Sequence, residues 1–430
     1  MINKIIDILN RKEIAGWILT QTNSRSEELF FVKDKLDQNR LCEVEEFTAR
    51  VYVDFEEASE KFKGDALAMI SAGDSEEEIE SKIDDAIFSA RFVKNKWYDL
   101  ATNSSEYEGS LEAVSNIAIL KEKYDDLHKV LFTDYGTASK VNSVELFAVD
   151  SQNRLVTSTG TDVSYPSNKF VFELVTDCEG ESESVEIFND HEFGLIDVDQ
   201  VQEIVKAQLA DTEARAKAKK AEKLENINVV LRGDAVADLL GIYITQATDE
   251  AVYNKFSRAK LGESFNGEDA AQKLNIKMVP DLAHALDRAP VDKDGVILKA
   301  YDLYKDSVVE NFRTTQQISS YMGAKNIGCP RPFVVEGSDT SYEEFIKGDY
   351  LEIYVFSSFI ASPIEGDFGG EFRLAKLVKD GKESYITGGS LSENIFKVQH
   401  SFIFSKESEN RKNSTTPKAI LLKGVNVAGA

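Results

Sequence analysis

The stretch from Tyr350 to Phe396, YLEIYVFSSFIASPIEGDFGGEFRLAKLVKDGKESYITGGSLSENIF, decides how the second half of the chain is read. Tyr350 to Phe356 is crowded with aromatic and β-branched residues, and Phe372 to Val378 alternates apolar with polar side chains. Both are strand patterns. Between Lys379 and Lys382 stands Asp380-Gly381, a pair that tolerates the positive φ angles of a two-residue hairpin. The segment is therefore expected to fold as a β-meander. Gly366, Gly369, Gly370, Gly388 and Gly389 permit turns, bulges or the close approach of another backbone.

Toward the N-terminus, Ile2 to Arg11 carries apolar residues at helical spacing. Strands are expected around Trp17 to Thr20, Glu28 to Val32 and Phe47 to Phe55. Ser75 and Glu78 have the spacing of a capping box, and Ile79, Ile83, Ala86, Ile87 and Ala90 form one apolar stripe behind it, which predicts a core-facing helix. A second helix is expected from Leu111 to Phe132. The β-branched and aromatic alternation from Val144 to Val175 predicts a second sheet, with turns at Ser158-Thr159-Gly160 and at Pro166-Ser167. Asp197 to Leu224 is rich in Ala, Glu and Lys and reads as one long exposed helix between the two halves. Its basic run from Arg215 to Lys223 is broken by acidic residues and reads as a solvated face.

These elements define an α+β fold. Helix and sheet modules are expected in residues 1–105 and 106–225, and a domain dominated by antiparallel strands in residues 226–430. The length of 430 residues suits two or three such units, and a 42% apolar content is ample for their cores. With 75 acidic against 50 basic residues the net charge is -25. That balance repels a phosphate backbone, so direct nucleic-acid binding is not expected. No run approaches the ~18 uninterrupted apolar residues of a membrane span. Cys42, Cys178 and Cys329 are odd in number and far apart, which fits a reducing, cytoplasmic setting and no disulfide framework.

The pieces around Pro363 to Phe368, Lys379 to Glu383, Gly388-Gly389 and Ser392 to Asn394 resemble, in type and order, the C-terminal core of the TldD/PmbA family. Members of that family are described as modulators of DNA gyrase and as zinc peptidases. Ala247 to Phe265, Asp281 to Asp302, Val308 to Gly323 and the closing TTPKAILLKGVNVAG extend the resemblance, which is firm from about Asn226 onward. It implies a C-terminal antiparallel β domain of the family type.

In the TldD branch of the family, a strand leads into a helix bearing H-E-x-x-x-H. Its two histidines hold zinc and its glutamate serves as general base. The matching segment here is NVVLRGDAVADLLGIYITQATDE, which places Gly241 and Ile242 at the first His and the Glu, and Gln246 at the second His. Neither Gly nor Ile ligates zinc or moves a proton, and Gln is a poor ligand. The Cys-Gly-Lys element expected further on has no counterpart between Phe396 and Lys412. His128, His191, His284 and His400 show no i, i+3 or i+4 pairing that would replace it.

The chain thus resembles the PmbA branch, also called TldE, which lacks the zinc motif and pairs with a zinc-bearing TldD-like subunit. The resemblance implies no catalytic residue, no metal and no cofactor in this chain. It implies a dimer, with that partner or with itself, and an unfolded peptide as substrate of the complex. Gly366, Asp367, Phe368, Gly388, Gly389 and Asn394 are the candidate peptide-cleft residues, with a purely structural role as the alternative. Two other readings stay open: a metallopeptidase using unrecognised ligands, and a homodimeric peptide-binding or scaffold protein.

Overall fold

A computed structural model of the chain describes residues 1–102, 111–180 and 183–430. The expected boundary at 105/106 lies outside the described residues. The N-terminal half is built on a seven-stranded antiparallel sheet in the order 95–96, 60–71, 35–57, 16–32, 140–157, 162–179, 184–193. Among the described residues, five helices lie on one face of it. Ile2–Arg11 and Glu76–Ala90 cover the first three long strands, where Ile5, Ile8, Ile79 and Ile83 pack with Trp17, Leu19, Phe47 and Val51. Asn116–Glu122, Tyr124–Phe132 and Val198–Ala216 cover the last three, where Leu127, Leu131, Val201, Val205 and Leu209 meet Val144, Leu146, Phe170 and Phe172. The capping box forms as expected, with the Ser75 hydroxyl accepting from the Glu78 N–H and the Glu78 carboxylate from the Ser75 N–H.

Several expectations are corrected. The two short strands expected between Trp17 and Val32 are one strand, Gly16–Val32, whose polar middle hides its continuity. The strands from Val144 to Val175 do not form a second sheet, because Gly16–Val32 pairs along its length with Lys140–Thr157 and joins them to the first. Pro166-Ser167 is not a turn. It lies within the strand Asp162–Glu179, opposite Gln152 and Ser151. The outer strand Ser184–Phe193 stops opposite Phe170, so no second neighbour needs the missing N–H of Pro166. The helix expected over Leu111 to Phe132 breaks at Lys123 into two. The long helix ends at Ala216 and is half-buried, because Val201, Val205 and Leu209 form an apolar stripe that the surrounding Lys and Glu residues obscure. Beyond it, Lys219–Lys220 is a short strand.

The C-terminal half contains the expected antiparallel β-rich domain. A six-stranded sheet runs in the order 308–309, 301–305, 276–278, 333–335, 414–417, 408–411, with one parallel pairing between Phe333–Val335 and Ser414–Pro417. A nine-stranded sheet holds the meander. Asp380 and Gly381 both have positive φ (51° and 72°) and close the hairpin, with Lys379 opposite Lys382. Five strands of this sheet close on themselves. Leu224–Arg232 pairs with Tyr350–Phe356 and Ala419–Ala428; Ala419–Ala428 pairs with Ser390–Asn394; that strand pairs with Asp367–Lys379, which returns to Tyr350–Phe356. Val229, Leu231, Leu351, Ile353, Phe372, Ile420 and Leu422 fill the largest core of the molecule.

The capping box gives a first check on the N-terminal half. Ser75→Ala should lower unfolding stability by about 1 kcal/mol in urea titrations, without changing the far-ultraviolet circular dichroism.

Candidate functional site

The helix Asp234–Gln246 follows the strand Leu224–Arg232 and packs against the short strand Ile360–Ala361. Val236, Leu239, Leu240 and Tyr243 point into the core. The outward stripe is Asp234, Asp238, Gly241 and Thr245, spaced as one helical face. At Gly241 a Cβ would meet no atom within 4 Å, so this position opens onto space. Ile242 is buried in the core. Gln246 is 1% exposed and fully engaged: its amide nitrogen donates to the carbonyls of Phe256 (3.2 Å) and Pro363 (2.6 Å), and its oxygen accepts from the Arg258 N–H (2.8 Å).

At the three positions that the resemblance aligns with the zinc motif, the side chains are therefore absent, apolar, or committed to holding loops. They do not fit a zinc ion, and no step through a metal can be drawn from them. Among the described residues, no three His, Cys, Asp or Glu side chains converge to hold a metal. The histidines stand apart. His128 contacts the Asp34 carbonyl among Phe31, Tyr124 and Phe132; His284 contacts the Ser414 carbonyl; His191 lies against Phe172 and Phe193; His400 is exposed. Burial holds the His191 imidazole down at about 4, so it is neutral at physiological pH. Cys42, Cys178 and Cys329 are free thiols, and burial raises the last two.

The candidate cleft residues fall into two neighbouring groups. In the first, Gly366 has φ +81° and its N–H bonds the Ser362 carbonyl (2.9 Å). A Cβ there would stand 2.4 Å from the Phe396 ring. Asp367 and Asn394 are register partners, and the Asn394 amide donates to the Asp367 carboxylate (2.6 Å) and the Glu365 carbonyl (2.9 Å), while its oxygen caps the Phe396 N–H. Phe368 is buried between Phe359 and Phe402. In the second group, Gly388 and Gly389 bond the backbone of Phe372, and a Cβ on Gly389 would enter the Phe372 ring at 2.5 Å. The Arg258 guanidinium lies 3.9 Å from the Phe396 ring centre. Through Arg258 and Pro363, Gln246 is thus joined to the Gly366 turn.

A second polar cluster, not singled out in the sequence, sits where the helix Val198–Ala216 meets the closed ring. Glu352 is 2% exposed; its carboxylate accepts from Arg232 (3.2 Å), from the Tyr342 hydroxyl and from the Tyr354 hydroxyl (3.0 Å). Arg232 also lies 4.6 Å from the Tyr354 ring centre. Burial pushes the Asp211 carboxyl up to about 6, opposed by Arg232 and reinforced by Glu352. The sequence signal was present: Arg232 and Glu352 are the charges at the end of VVLR and inside YLEIYVF.

Residues 225–429 match the family model described as the PmbA/TldA metallopeptidase C-terminal domain. This domain, a little under half of the chain, is thus of the PmbA/TldD type. Solved structures similar to it include TldE from Thermococcus kodakarensis, with 15% identity, 99% of this chain and 100% of that one covered, and a TM-score of 0.79. A proposed DNA gyrase modulator from Thermotoga maritima gives 16%, 99%, 99% and 0.77, and one from Bacteroides thetaiotaomicron 16%, 100%, 98% and 0.80. At such identities the likeness is one of fold, and it extends over the whole length of the chain. A comparison with curated proteins gives no match.

Two predictions test this geometry. Gln246→Ala would leave the Arg258 N–H and two carbonyls without their partner, so unfolding stability should fall by roughly 2 to 3 kcal/mol in urea titrations. For Asp211 the folded-state value is raised above the unfolded one. Its favourable contribution is complete below about pH 4 and disappears as pH rises through about 6. Asp211→Asn should therefore flatten the loss of stability between pH 4 and 6.5 by on the order of 1 to 2 kcal/mol, read from urea midpoints across that range.

Proposed function

We propose that this chain is the non-catalytic subunit of a TldD-type zinc peptidase complex and helps hold unfolded peptide for a zinc-bearing TldD-like partner. The observation that carries this reading is the helix Asp234–Gln246. The resemblance aligns it with the zinc helix of the TldD branch, and on that alignment it presents Gly241, Ile242 and Gln246 where ligands and general base are needed. The likeness to a structure described as TldE supports the same assignment.

The peptide would lie beside that helix. Among the described residues the strand Ile360–Ala361 pairs only with Asp367–Lys379, and the exposed Ile360 and Ile364 offer apolar contacts next to a helix face left bare at Gly241. An extended chain can add to such an edge through backbone hydrogen bonds with little demand on its sequence. In this reading, Gly366, Asp367, Phe368 and Asn394 shape the turn behind the edge, and Gly388 and Gly389 hold the strand it hangs on. The complex works in the cytoplasm. Any influence on gyrase runs through proteolysis of a regulator, since a chain of net charge -25 does not seek DNA.

The test is elemental zinc on untagged protein purified without chelator, alongside hydrolysis of unfolded casein. We expect close to no zinc on this chain alone, and cleavage only after a TldD-type subunit is added. About one zinc per chain, bound in the absence of any partner, would overturn the assignment.

A further inference from the structure

The face of the seven-stranded sheet turned away from its helices is covered at one end by Val291 and Ile297, which pack on Ile18, Tyr52, Leu155 and Val163. At the other end it is open, forming a shallow groove of about 390 Å³. Alternation along the strands decides what this open face presents. Phe147, Val171 and Glu192 are cross-strand neighbours in one rung, with Glu192 paired to Lys169 and Lys412; Glu145, Glu173 and Asp190 are neighbours in the next; Val175 and Phe188 follow. Phe188 is 54% exposed.

Three carboxylates directly abreast repel one another, an arrangement that costs a sheet stability unless something answers it. Lys412 reaches Asp190 at 3.9 Å, but among the described residues no ion pair reaches Glu145 or Glu173. The Glu173 carboxyl is raised by burial first, and by Glu145 and Asp190 next. A negative rung with Phe147 and Val171 on one side and Val175 and Phe188 on the other is complementary to a surface that sets Lys or Arg between apolar side chains. A second copy of this chain is disfavoured, because like would meet like at a net charge of -25 per chain.

We infer that this open sheet face is a docking surface for a basic amphipathic helix of another protein, whose Lys or Arg side chains answer Glu145 and Glu173 while its apolar side chains cover Phe147, Val171 and Phe188. The side chains concerned project from the face of the sheet and not from its edge, so the occupant packs on side chains and does not add a strand. The surface shares no residue with the Ile360–Gly366 edge, and the inference stands whether or not that edge binds peptide.

The probe is a fluorescently labelled amphipathic peptide of roughly five helical turns built from Leu and Lys, with a Leu and Glu counterpart, read by anisotropy on the full chain. Glu145→Gln/Glu173→Gln should weaken binding of the Lys peptide about tenfold. Phe188→Ser, at an exposed site outside the core, should weaken it to a similar degree. Glu77→Gln/Glu122→Gln removes the same charge elsewhere and should leave binding unchanged. Near-ultraviolet circular dichroism confirms that each variant keeps its packing. Equal weakening by both charge pairs would mean the peptide senses only the overall field and would overturn the inference. So would equal binding of the Glu peptide, absence of micromolar binding, or self-association in sedimentation that Phe188→Ser abolishes.

Discussion

The strand Asp367–Lys379 changes partners halfway along, and the C-terminal domain is organised around that exchange. Its first half pairs with Ser390–Asn394 on one side and Ile360–Ala361 on the other; its second half pairs with Tyr350–Phe356 and Lys382–Thr387. Gly369 and Gly370 make the crowding possible. A Cβ on Gly369 would stand 2.0 Å from the Leu391 carbonyl oxygen, and one on Gly370 would stand 1.9 Å from that of Ser358. Only residues without side chains allow backbone on both flanks to come so close. The exchange closes the ring of strands, and the ring supplies the wall against which the helix Asp234–Gln246 rests.

The two halves of the molecule are held together mostly by polar and loop contacts. The Gly194 N–H bonds the His284 carbonyl, the Thr161 hydroxyl bonds the Gly295 carbonyl, and Gln316 reaches the Asp99 carbonyl. Tyr52, buried at this junction, has its hydroxyl pushed up to about 12. The Arg232–Glu352 cluster lies where the last helix of the N-terminal half touches the ring. Such a cluster favours one relative placement, because a buried carboxylate stripped of its partners is costly.

How much of this was legible in the sequence depended on the range of each interaction. Asp380-Gly381 and Ser75 with Glu78 are legible in the sequence, since a hairpin and a cap are decided within four residues. The partner of Gly16–Val32 was not visible, because Lys140–Thr157 lies far along the chain and strand alternation does not name its neighbour. The length of the Val198–Ala216 helix was overestimated, as helix-favouring Ala and Lys continue past the point where Lys219–Lys220 becomes extended. At the candidate site, the loss of ligand chemistry at Gly241 and Ile242 was plain from residue type. The role of Gln246 was not. Its partners Phe256, Arg258 and Pro363 are recognisable only once the turn carrying Pro363 is folded against the helix.

The position of the last strand bears on how the protein is made. Ala419–Ala428 inserts between Leu224–Arg232 and Ser390–Asn394, and the Gly424 N–H bonds the Asn228 side chain across 196 residues. While the chain is emerging from the ribosome, Leu224–Arg232 is exposed with one flank unpaired until this segment arrives. The N-terminal sheet, whose strands are joined largely by hairpins, needs nothing from beyond Ala216 to form its ladder. Synthesis would then yield a folded first half carrying an apolar, open-edged second half, the stage at which aggregation competes most strongly with folding and chaperones act.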